Sequence, residues 1–398
     1  MLKRLVAIAF IFGCSGIAWV ILGATLVSRT ADSDSSQTQK LTAQWGSSQA
    51  QTAPQVSARV AVETYNKDRK RVERGYEIVA VALRSSRISV NLNLEQRRKG
   101  LLWYNLYDVR FQARYIVRND TLGRRLTLRF AFPSNNGTYT DFTSSVGGRR
   151  LAGSDDLSQG VVSFDLAPGK ETSVDVGYRS RGMESWTYSF GSTVQSVRDF
   201  GLTMTTNFDA IDFPPQTLLP TAEQRTGNGW QLDWRYASLV TGEGIGMAFP
   251  YPLQPGPLAQ RITFWAPVAL LFYFFVMLLI TTLRGIDLHP VNYFFLACAF
   301  FAFHLLFAYL VDRIALEAAF AICSLVSMGL TITYLRLVVG WRFAAVESAL
   351  AQLVYLVLFS YALFNEGWSG LTITVGAIVT LFVVMQLTGR IRWSERFA

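Results

Sequence analysis

The chain has few of the residues that build metal centres, disulfides and hydrolytic sites. Its 398 residues include three cysteines and two histidines. The cysteines lie in apolar stretches without C-x-x-C spacing, so the sequence predicts neither a structural zinc site nor disulfides in the polar middle of the chain. Residues 28–261 contain no histidine, which excludes a Ser-His-Asp triad there. We therefore expect no catalytic, cofactor-binding or metal-binding residues, and a protein that is not an enzyme.

Charged residues are also scarce, and apolar residues are concentrated in two parts of the chain. Asp, Glu, Lys and Arg make up 16% of the sequence, whereas soluble domains carry about 25%. Hydrophobic residues make up 51% and crowd into residues 5–27 and 262–389. Those two parts are predicted to lie in a membrane, with an ordinary polar domain between them.

Six apolar stretches are long enough to cross a bilayer, which takes roughly 20 residues. Residues 5–27 carry no charge and are too long for the core of a cleaved signal peptide, so they predict an uncleaved anchor. Charges and turn residues divide the C-terminal part into predicted spans at 262–283, 291–311, 314–335, 343–364 and 368–389. The predicted fold class is an α+β membrane protein. It has one N-terminal transmembrane helix, an extracytoplasmic, mainly-β, sandwich-like domain and a C-terminal bundle of five transmembrane helices.

The basic residues beside the spans predict one orientation. Lys and Arg accumulate in the cytoplasmic loops of membrane proteins. With six spans, one compartment receives eight cations, whereas the short loops on the other side carry a net charge of −2. Both termini are therefore predicted to be cytoplasmic and residues 28–261 extracytoplasmic. The eight cations are Lys3, Arg4, Arg284, Arg336, Arg342, Arg390, Arg392 and Arg396.

The region between the membrane segments is predicted to be rich in β-strands. In residues 108–118, apolar and polar side chains alternate with a period of two, which is typical of a half-buried strand. Weaker alternation at 126–132, 161–166, 172–178 and 230–236, with turn signals between, favours many short antiparallel strands. Residues 59–74 fit either a basic helix or a first strand. The predicted domains are an anchor at 1–27, a Ser/Gln-rich stalk at 28–55, a β-rich domain at 56–261 and a bundle at 262–398.

Four ionisable residues in or beside the C-terminal spans are candidates for function, because ionisable groups inside a membrane are energetically costly and are therefore rare unless they have a function. His304 lies towards the outer end of its span, where hydrogen bonding to a neighbouring helix is the commoner role. Glu347 can reach the cytoplasmic interface and pair with Arg342. Asp312 and Arg313 are most simply loop charges. A proton or ion relay needs several such groups at matching depths, and the sequence lacks them.

The middle of the chain has a surplus of positive charge, with 28 Lys or Arg against 22 Asp or Glu in residues 29–261. Outside the cytoplasm, nucleic acid is not expected, and the charge favours anionic lipid headgroups or cell-wall polymers. The paired Asp155-Asp156 falls in a Gly/Ser-rich loop and is interpreted as solvated. The best binding candidate is a basic cluster suited to a phosphate-bearing surface, although a solvated face explains it more simply: Lys67, Arg69, Lys70, Arg71 and Arg74.

Several short motifs resemble those of the CreD family of bacterial inner-membrane proteins. The strongest similarity is in the loop Ile286-Asp287-Leu288-His289-Pro290-Val291-Asn292-Tyr293 and in the closing Thr388-Gly389-Arg390-Ile391-Arg392-Trp393. Weaker similarities are Trp45-Gly46 with Gln49 and Ala53-Pro54, and Arg97-Arg98-Lys99-Gly100 followed by Tyr104 and Tyr107. The resemblance implies one span, an outer domain and five spans, a multi-pass location in the bacterial cytoplasmic (inner) membrane, and a role in envelope integrity or stress.

Two main functions remain open from the sequence. The first is a non-enzymatic envelope protein whose outer domain meets an envelope protein, anionic lipid or cell-wall polymer while the bundle anchors it in the lipid bilayer. The second is a small transporter or channel formed by the five C-terminal helices, against which stand few buried polar groups and no evident internal repeat. An intramembrane enzyme lacks the paired Asp or Ser/His residues that it needs. A water-filled cavity lined by His304 or Gln352 would favour transport.

Overall fold

The computed structural model describes residues 2–66, 71–151, 160–365, 367 and 369–389, and the side chains of residues 2, 64–74, 369, 387 and 388 are outside that description. The chain clusters into two compact units. The helical unit comprises Met1–Gln37, Arg98–Leu102 and Pro252–Ala398. The β unit comprises Thr38–Arg97 and Trp103–Tyr251.

The helices correspond to the apolar stretches of the sequence. Among the described residues, five helices are long and apolar enough to cross a membrane, and the described part of a sixth is shorter. Two of them begin with a proline in the first turn, where the missing N–H removes no hydrogen bond. The helices are α1 Leu2–Trp45, α2 Pro255–Arg284, α3 Pro290–Leu310, α4 Leu316–Val338, α5 Phe343–Ala362 and α6 Ser369–Thr388.

The first helix is much longer than the predicted anchor. It contains 44 residues, or about 66 Å at 1.5 Å per residue, against roughly 30 Å of hydrocarbon core. The predicted stalk at 28–55 is therefore corrected: it is helical as far as Trp45 and forms a strand at Gln49–Thr52. Thr30, Leu41 and Trp45 are buried at helical spacing, and this sparse pattern was hidden among Ser, Thr and Gln.

Helix α5 contains two π-helical turns. They cover Phe343–Ser348 and Leu353–Leu358, on either side of the α-helical Ala349–Gln352. A π-helical turn widens the backbone and is common at functional positions. The apolar interior of the helical unit is built mainly from the facing sides of α2, α3 and α4, with large aromatic side chains such as Tyr273, Phe300 and Phe303 fully buried.

The β unit contains fifteen described strands. The five strands expected from alternation are present, and the described residues of the ambiguous stretch 59–74 belong to two strands rather than to a helix. The strands are β1 Gln49–Thr52, β2 Gln55–Asn66, β3 Arg71–Val81, β4 Leu83–Lys99, β5 Leu102–Arg118, β6 Arg125–Arg129, β7 Tyr139–Val146, β8 Arg149–Arg150, β9 Val161–Asp165, β10 Glu171–Met183, β11 Ser185–Ser189, β12 Gln195–Thr206, β13 Ala222–Thr226, β14 Gly229–Thr241 and β15 Ile245–Ala248.

The strands form three sheets. Their orders are β1-β11-β15, β13-β14-β12-β4-β5-β10-β7-β8 and β3-β2-β6-β9. The expectation of short antiparallel strands is wrong in two respects. Strands β4 and β5 each have 17 residues, and β1 pairs with β11, and β12 with β4, in parallel. Alternation reports which face is buried, not the direction of the neighbour, so the parallel pairs were invisible to it.

One face of the eight-stranded sheet is buried in an apolar core. That core contains side chains from all three sheets, among them Phe111, Tyr178, Trp186 and Leu128. The predicted alternation of 108–118 is confirmed, because Val109, Phe111, Ala113, Tyr115 and Val117 are buried while the intervening polar residues are not. The other face of this sheet is polar, and it carries the site described next.

Candidate functional site: the polar face of the eight-stranded sheet

A wide depression lies on the polar face of the eight-stranded sheet. Its volume is about 1300 Å³, and it crosses strands β4, β5, β7, β10, β12 and β14 and the short β8. Four arginines and two aspartates are among the described residues that line it. We call it the polar trough and define it by its charged and amide side chains: Arg87, Gln112, Arg114, Arg150, Asp175, Asp199 and Arg235.

The trough follows from the same alternation that builds the core. On β5, Gln112 and Arg114 face solvent because the alternate residues Phe111, Ala113 and Tyr115 point into the core. Gly177 on β10 and Gly201 on β12 also line the trough. A Cβ on Gly177 would come within 2.9 Å of Thr143 Oγ1, so this glycine keeps the floor open where the strands approach closely.

An arginine and an aspartate hold each other at one side of the trough. Arg87 Nη2 donates to Asp199 Oδ1 at 2.5 Å, and Arg87 Nη1 donates to the Asp199 carbonyl oxygen at 2.5 Å. Asp199 has φ of 44°, a left-handed conformation that Asp tolerates better than most residues. The Arg87 hydrogen bond, with a further one from Ser85, holds the pKa of the Asp199 carboxyl below its usual range.

A second pair lies on the opposite side of the trough floor. Arg114 Nε donates to Asp175 Oδ1 at 2.5 Å, and Ser145 Oγ donates to Asp175 Oδ2 at 2.9 Å. The hydrogen bond to Asp175 raises the pKa of Arg114 further above its usual range. Both arginines are thus held in position by acidic neighbours while more than half of each side chain stays exposed.

The chemistry of the trough is that of a binding surface. It offers guanidinium and amide donors together with carboxylate and hydroxyl acceptors. Neither histidine of the chain lies in the β unit, since both are in the helical part. Among the residues that the structure describes, no three His, Cys, Asp or Glu side chains are grouped closely enough to hold a metal ion.

Two other depressions are smaller. One of about 720 Å³ in the β unit is lined by Pro54, Ile78, Phe190 and Val197, among others. One of about 200 Å³ in the helical unit is lined mainly by apolar residues of α2, α5 and α6, such as Phe272 and Phe359. Neither His304 nor Gln352 lines any of these three depressions.

His304 is buried in the helical unit, with 1% of its surface exposed. Its Nδ1 is 3.0 Å from the carbonyl oxygen of Phe300, so the bond is within its own helix rather than to a neighbouring one. The Trp19 ring of α1 packs edge-on against it at 5.7 Å between centroids, and Phe303 packs at 4.9 Å. Nε2 has no hydrogen-bond partner among the described atoms. His304 is therefore an aromatic packing residue here.

The other ionisable candidates make ion pairs that the sequence did not predict. Glu347 pairs with Arg284 at 2.5 Å rather than with Arg342. Asp312 is more than a loop charge, because it is only 20% exposed and accepts a 3.3 Å hydrogen bond from Arg29 of α1. These pairs join α2 to α5 and α1 to the end of α3.

The motif Ile286–Tyr293 fastens the start of α3 to other helices. Asp287 pairs with Arg4 at 3.3 Å, and His289 accepts a hydrogen bond from the Val291 N–H as the N-cap of α3. Asn292 Oδ1 accepts from Tyr334 of α4 at 2.7 Å. The motif thus has a structural role in this chain that neither its residue types nor their spacing reveals.

A buried polar chain in the helical unit was also missed by sequence reasoning. Gln352 Nε2 donates to Ser327 Oγ at 2.8 Å, and Ser327 Oγ donates to the Ala299 carbonyl oxygen at 2.6 Å. One turn earlier in α5, Ser348 lies 3.0 Å from the Tyr273 hydroxyl. Single Ser and Gln residues inside apolar stretches are the only signal, and it is weak because such residues often bond within their own helix.

Two predicted features lie outside the described residues or side chains. They are the pair Asp155-Asp156 and the basic cluster Lys67, Arg69, Lys70, Arg71 and Arg74. The closing motif beyond Gly389, residues 390–393, also lies outside the described residues.

No curated protein matches the chain. One solved structure among those that match, a Legionella pneumophila protein whose description names nutrient binding, shares 8% identity over 52% of this chain and 74% of its own, with a TM-score of 0.23. That likeness is too low to carry an argument about fold or ligand.

A family model covers the C-terminal part of the chain. Residues 218–394 match the family described as "Inner membrane protein CreD". The match begins before β13 and includes the loop Ile286–Tyr293, so the resemblance on that motif is confirmed, whereas the weaker similarities near residues 45–54 and 97–107 lie outside the matched part. The C-terminal part of the chain, residues 218–394, is thus similar to the CreD family of inner membrane proteins, and several of the described helices are long and apolar enough to cross a membrane.

Proposed function

We propose that the chain is a non-enzymatic, multi-pass inner membrane protein that supports the integrity of the cell envelope through its β unit. Both termini face the cytoplasm and residues 28–261 lie outside it. The membrane location is supported by the family match and by the apolar helices. The orientation and the envelope role go beyond these two observations.

The observation that carries the orientation is the distribution of charge in the helical unit. Arg4 of α1 pairs with Asp287 just before α3, and Arg284 at the end of α2 pairs with Glu347 near the start of α5. Arg336 in the last turn of α4 belongs to the same end by the order of the helices. This end therefore carries most of the cations, which is the pattern of a cytoplasmic face.

The opposite end of the helices is more balanced. Arg29 is bound to Asp312 and to the Ala308 carbonyl oxygen at 3.0 Å. Arg98 donates to the Ile314 carbonyl oxygen at 2.9 Å. Asp312 offsets the charge of Arg29 at this end, whereas the first end carries Lys3, Arg336 and Arg342 in addition to its two ion pairs.

The alternative of a small transporter or channel has less support. Gln352, the polar side chain most suited to line a pathway, is fully buried and donates to Ser327. His304 is enclosed by aromatic rings. We therefore retain transport only as the second candidate and place the function in the β unit.

Two reporters in one full-length protein test the orientation. Alkaline phosphatase, inserted in the exposed turn at Asn228, should be active because it needs the oxidising compartment outside the cytoplasm. A fluorescent protein after Ala398 should fluoresce in the cytoplasm. Inactive phosphatase with a dark C-terminal reporter would refute the orientation.

The envelope role needs a separate experiment. A strain without this protein should become sensitive to detergent or bile salts, and the full chain should restore resistance. A matched chain with Arg225→Gln, an exposed ion-pair residue away from the trough, should restore it equally. A deletion strain with normal resistance under all of these stresses would refute the role.

A further inference from the structure

We propose that the polar trough binds an acidic glycan, a chain of N-acetylated sugars that carries carboxylates. The proposal rests on the proposed function, because it requires the β unit to face the compartment where such polymers occur. It goes further by naming the site and the ligand class.

The dimensions of the trough favour an extended ligand. Its volume of about 1300 Å³ exceeds the roughly 300–1,000 Å³ of ordinary small-molecule pockets. It is open to solvent and runs across neighbouring strands instead of ending in a closed cavity. A polymer can lie across such a surface and leave at both ends, whereas a small metabolite would remain largely solvated.

The lining has the mixed hydrogen-bonding character that sugars need. Each sugar hydroxyl both donates and accepts, and the trough presents both kinds of partner at fixed positions. Arg87 with Asp199 and Arg114 with Asp175 are pairs whose members restrain each other before a ligand arrives. Such preorganisation lowers the entropy that binding must overcome.

The excess of arginine selects an acidic polymer over a neutral one. Four arginines and two aspartates line the trough, and guanidinium groups bind carboxylates through two parallel hydrogen bonds. The two aspartates would oppose a densely charged polyanion. A glycan with one carboxylate on every second sugar meets both conditions, because its charges are separated by hydroxyl-bearing units.

The trough is less suited to an extended peptide. Peptides that add to β-sheets pair with free backbone groups at a sheet edge. The trough lies on the face of the sheet, where the strands β4, β10 and β12 are already paired on both sides. Acyl chains are also unfavoured, since the apolar side chains of these strands point into the core.

The direct test is binding by the full-length protein in nanodiscs of uncharged phosphatidylcholine. The probe is a fluorescent peptidoglycan glycan strand from which the stem peptides have been removed, so that its lactyl carboxylates are free. Chitohexaose, which has related N-acetylated sugars without carboxylates, is the neutral comparison. The acidic strand should bind at least tenfold more tightly than chitohexaose, and binding should weaken as salt screens the charges.

Substitutions then locate the site. Arg87→Gln and Arg114→Gln should each weaken binding about tenfold, as expected for the loss of a hydrogen bond between charged groups. Arg225→Gln is the matched control, because Arg225 is an equally exposed arginine paired with Asp209 outside the trough. It should leave binding unchanged within twofold.

A variant that fills the trough with a bulky side chain tests the site without changing its charge, and its melting temperature shows whether it still folds. Gln112 is exposed on the trough floor, so Gln112→Trp should block the trough without changing the core. Its melting temperature should match that of the unsubstituted protein while binding falls at least tenfold.

Four results would overturn the proposal. They are no binding of the acidic strand, equal binding of chitohexaose, equal loss in Arg225→Gln, and full binding by Gln112→Trp. Tighter trough-dependent binding of polyglutamate would assign the site to acidic peptides instead and also overturn it. Because the reporter experiment measures orientation without any ligand, a failure of glycan binding remains distinguishable from a failure of the proposed function.

Discussion

Asn119 provides the sharpest test of how the β unit is held together. It is fully buried after β5. Its Nδ2 donates to the carbonyl oxygens of Gly123 and Leu166, each at 2.7 Å, and its Oδ1 accepts from the N–H and the hydroxyl of Thr121 at 3.0 and 2.8 Å. One amide group therefore satisfies four partners and connects the turn after β5 to the segment after β9.

Asn119→Ala should destabilise the β unit substantially. It removes four hydrogen bonds and leaves buried carbonyl groups without a donor, for which we expect about 3 kcal/mol in total. For a unit of this size, 1 kcal/mol lowers the melting temperature by roughly 2–4 °C, so the expected fall is roughly 6–12 °C.

The assay is thermal unfolding of the full-length protein in detergent, followed by intrinsic tryptophan fluorescence. Asn228→Ala is the control, because Asn228 is exposed in a turn and should change stability by less than about 0.5 kcal/mol. Equal melting temperatures for the two variants would refute the reasoning from buried hydrogen bonds.

Three further outcomes follow from the structure. Burial alone would raise the pKa of Asp233, but hydrogen bonds from its neighbours and a nearby arginine lower it on balance. The ionised carboxylate therefore stabilises the fold above the unfolded pKa of about 3.9, and this stabilisation is lost as the pH falls through the lower folded pKa. Asp233→Asn should lower the melting temperature at pH 7, and the difference from the unsubstituted protein should vanish in strong acid. Gln352→Leu should change the melting temperature by only about 1–2 °C, because interhelical hydrogen bonds in membranes average about 0.6 kcal/mol. A much larger fall in the melting temperature of this variant would contradict the reasoning. Gly229→Ala should abolish folding of the β unit, since a Cβ there would lie 2.0 Å from the Thr206 carbonyl oxygen, whereas Gly75→Ala, with nothing within 4 Å, should fold normally by circular dichroism.

The sequence predicted the apolar helices well because their signal is local. Residues 291–311 and 368–389 were expected as spans, and helices occur at Pro290–Leu310 and Ser369–Thr388. Long uncharged stretches specify a helix without reference to any partner. The helical continuation to Trp45 was missed because its polar residues are compatible with both a helix and a flexible segment.

Pairing between distant segments was much less predictable. The burial of one face of 108–118 was clear from alternation, but its neighbours in the sheet are set by contacts far apart in sequence. The trough is assembled in this way, because Arg87 and Asp199 are 112 residues apart. Nothing in the sequence indicates that such residues lie side by side, and only the order of the strands in the sheet brings them together.

The same limit applies to the ion pairs of the helical unit. Arg342 is close to Glu347 in sequence and was the natural partner to predict. The pair that forms uses Arg284 instead, at 2.5 Å, since the packing of α2 against α5 decides which side chains meet.

The central proposal is that residues 28–261 and the loop before α3 face opposite sides of the inner membrane. It can be measured by labelling single cysteines in a chain whose three native cysteines have been replaced by alanine. One cysteine is placed at Asn228, in an exposed turn, and one at Asp287, whose side chain is 98% exposed. In intact spheroplasts, a membrane-impermeant maleimide should label Asn228→Cys, and it should label Asp287→Cys only after lysis. Labelling of Asp287→Cys before lysis, with Asn228→Cys protected, would contradict the account.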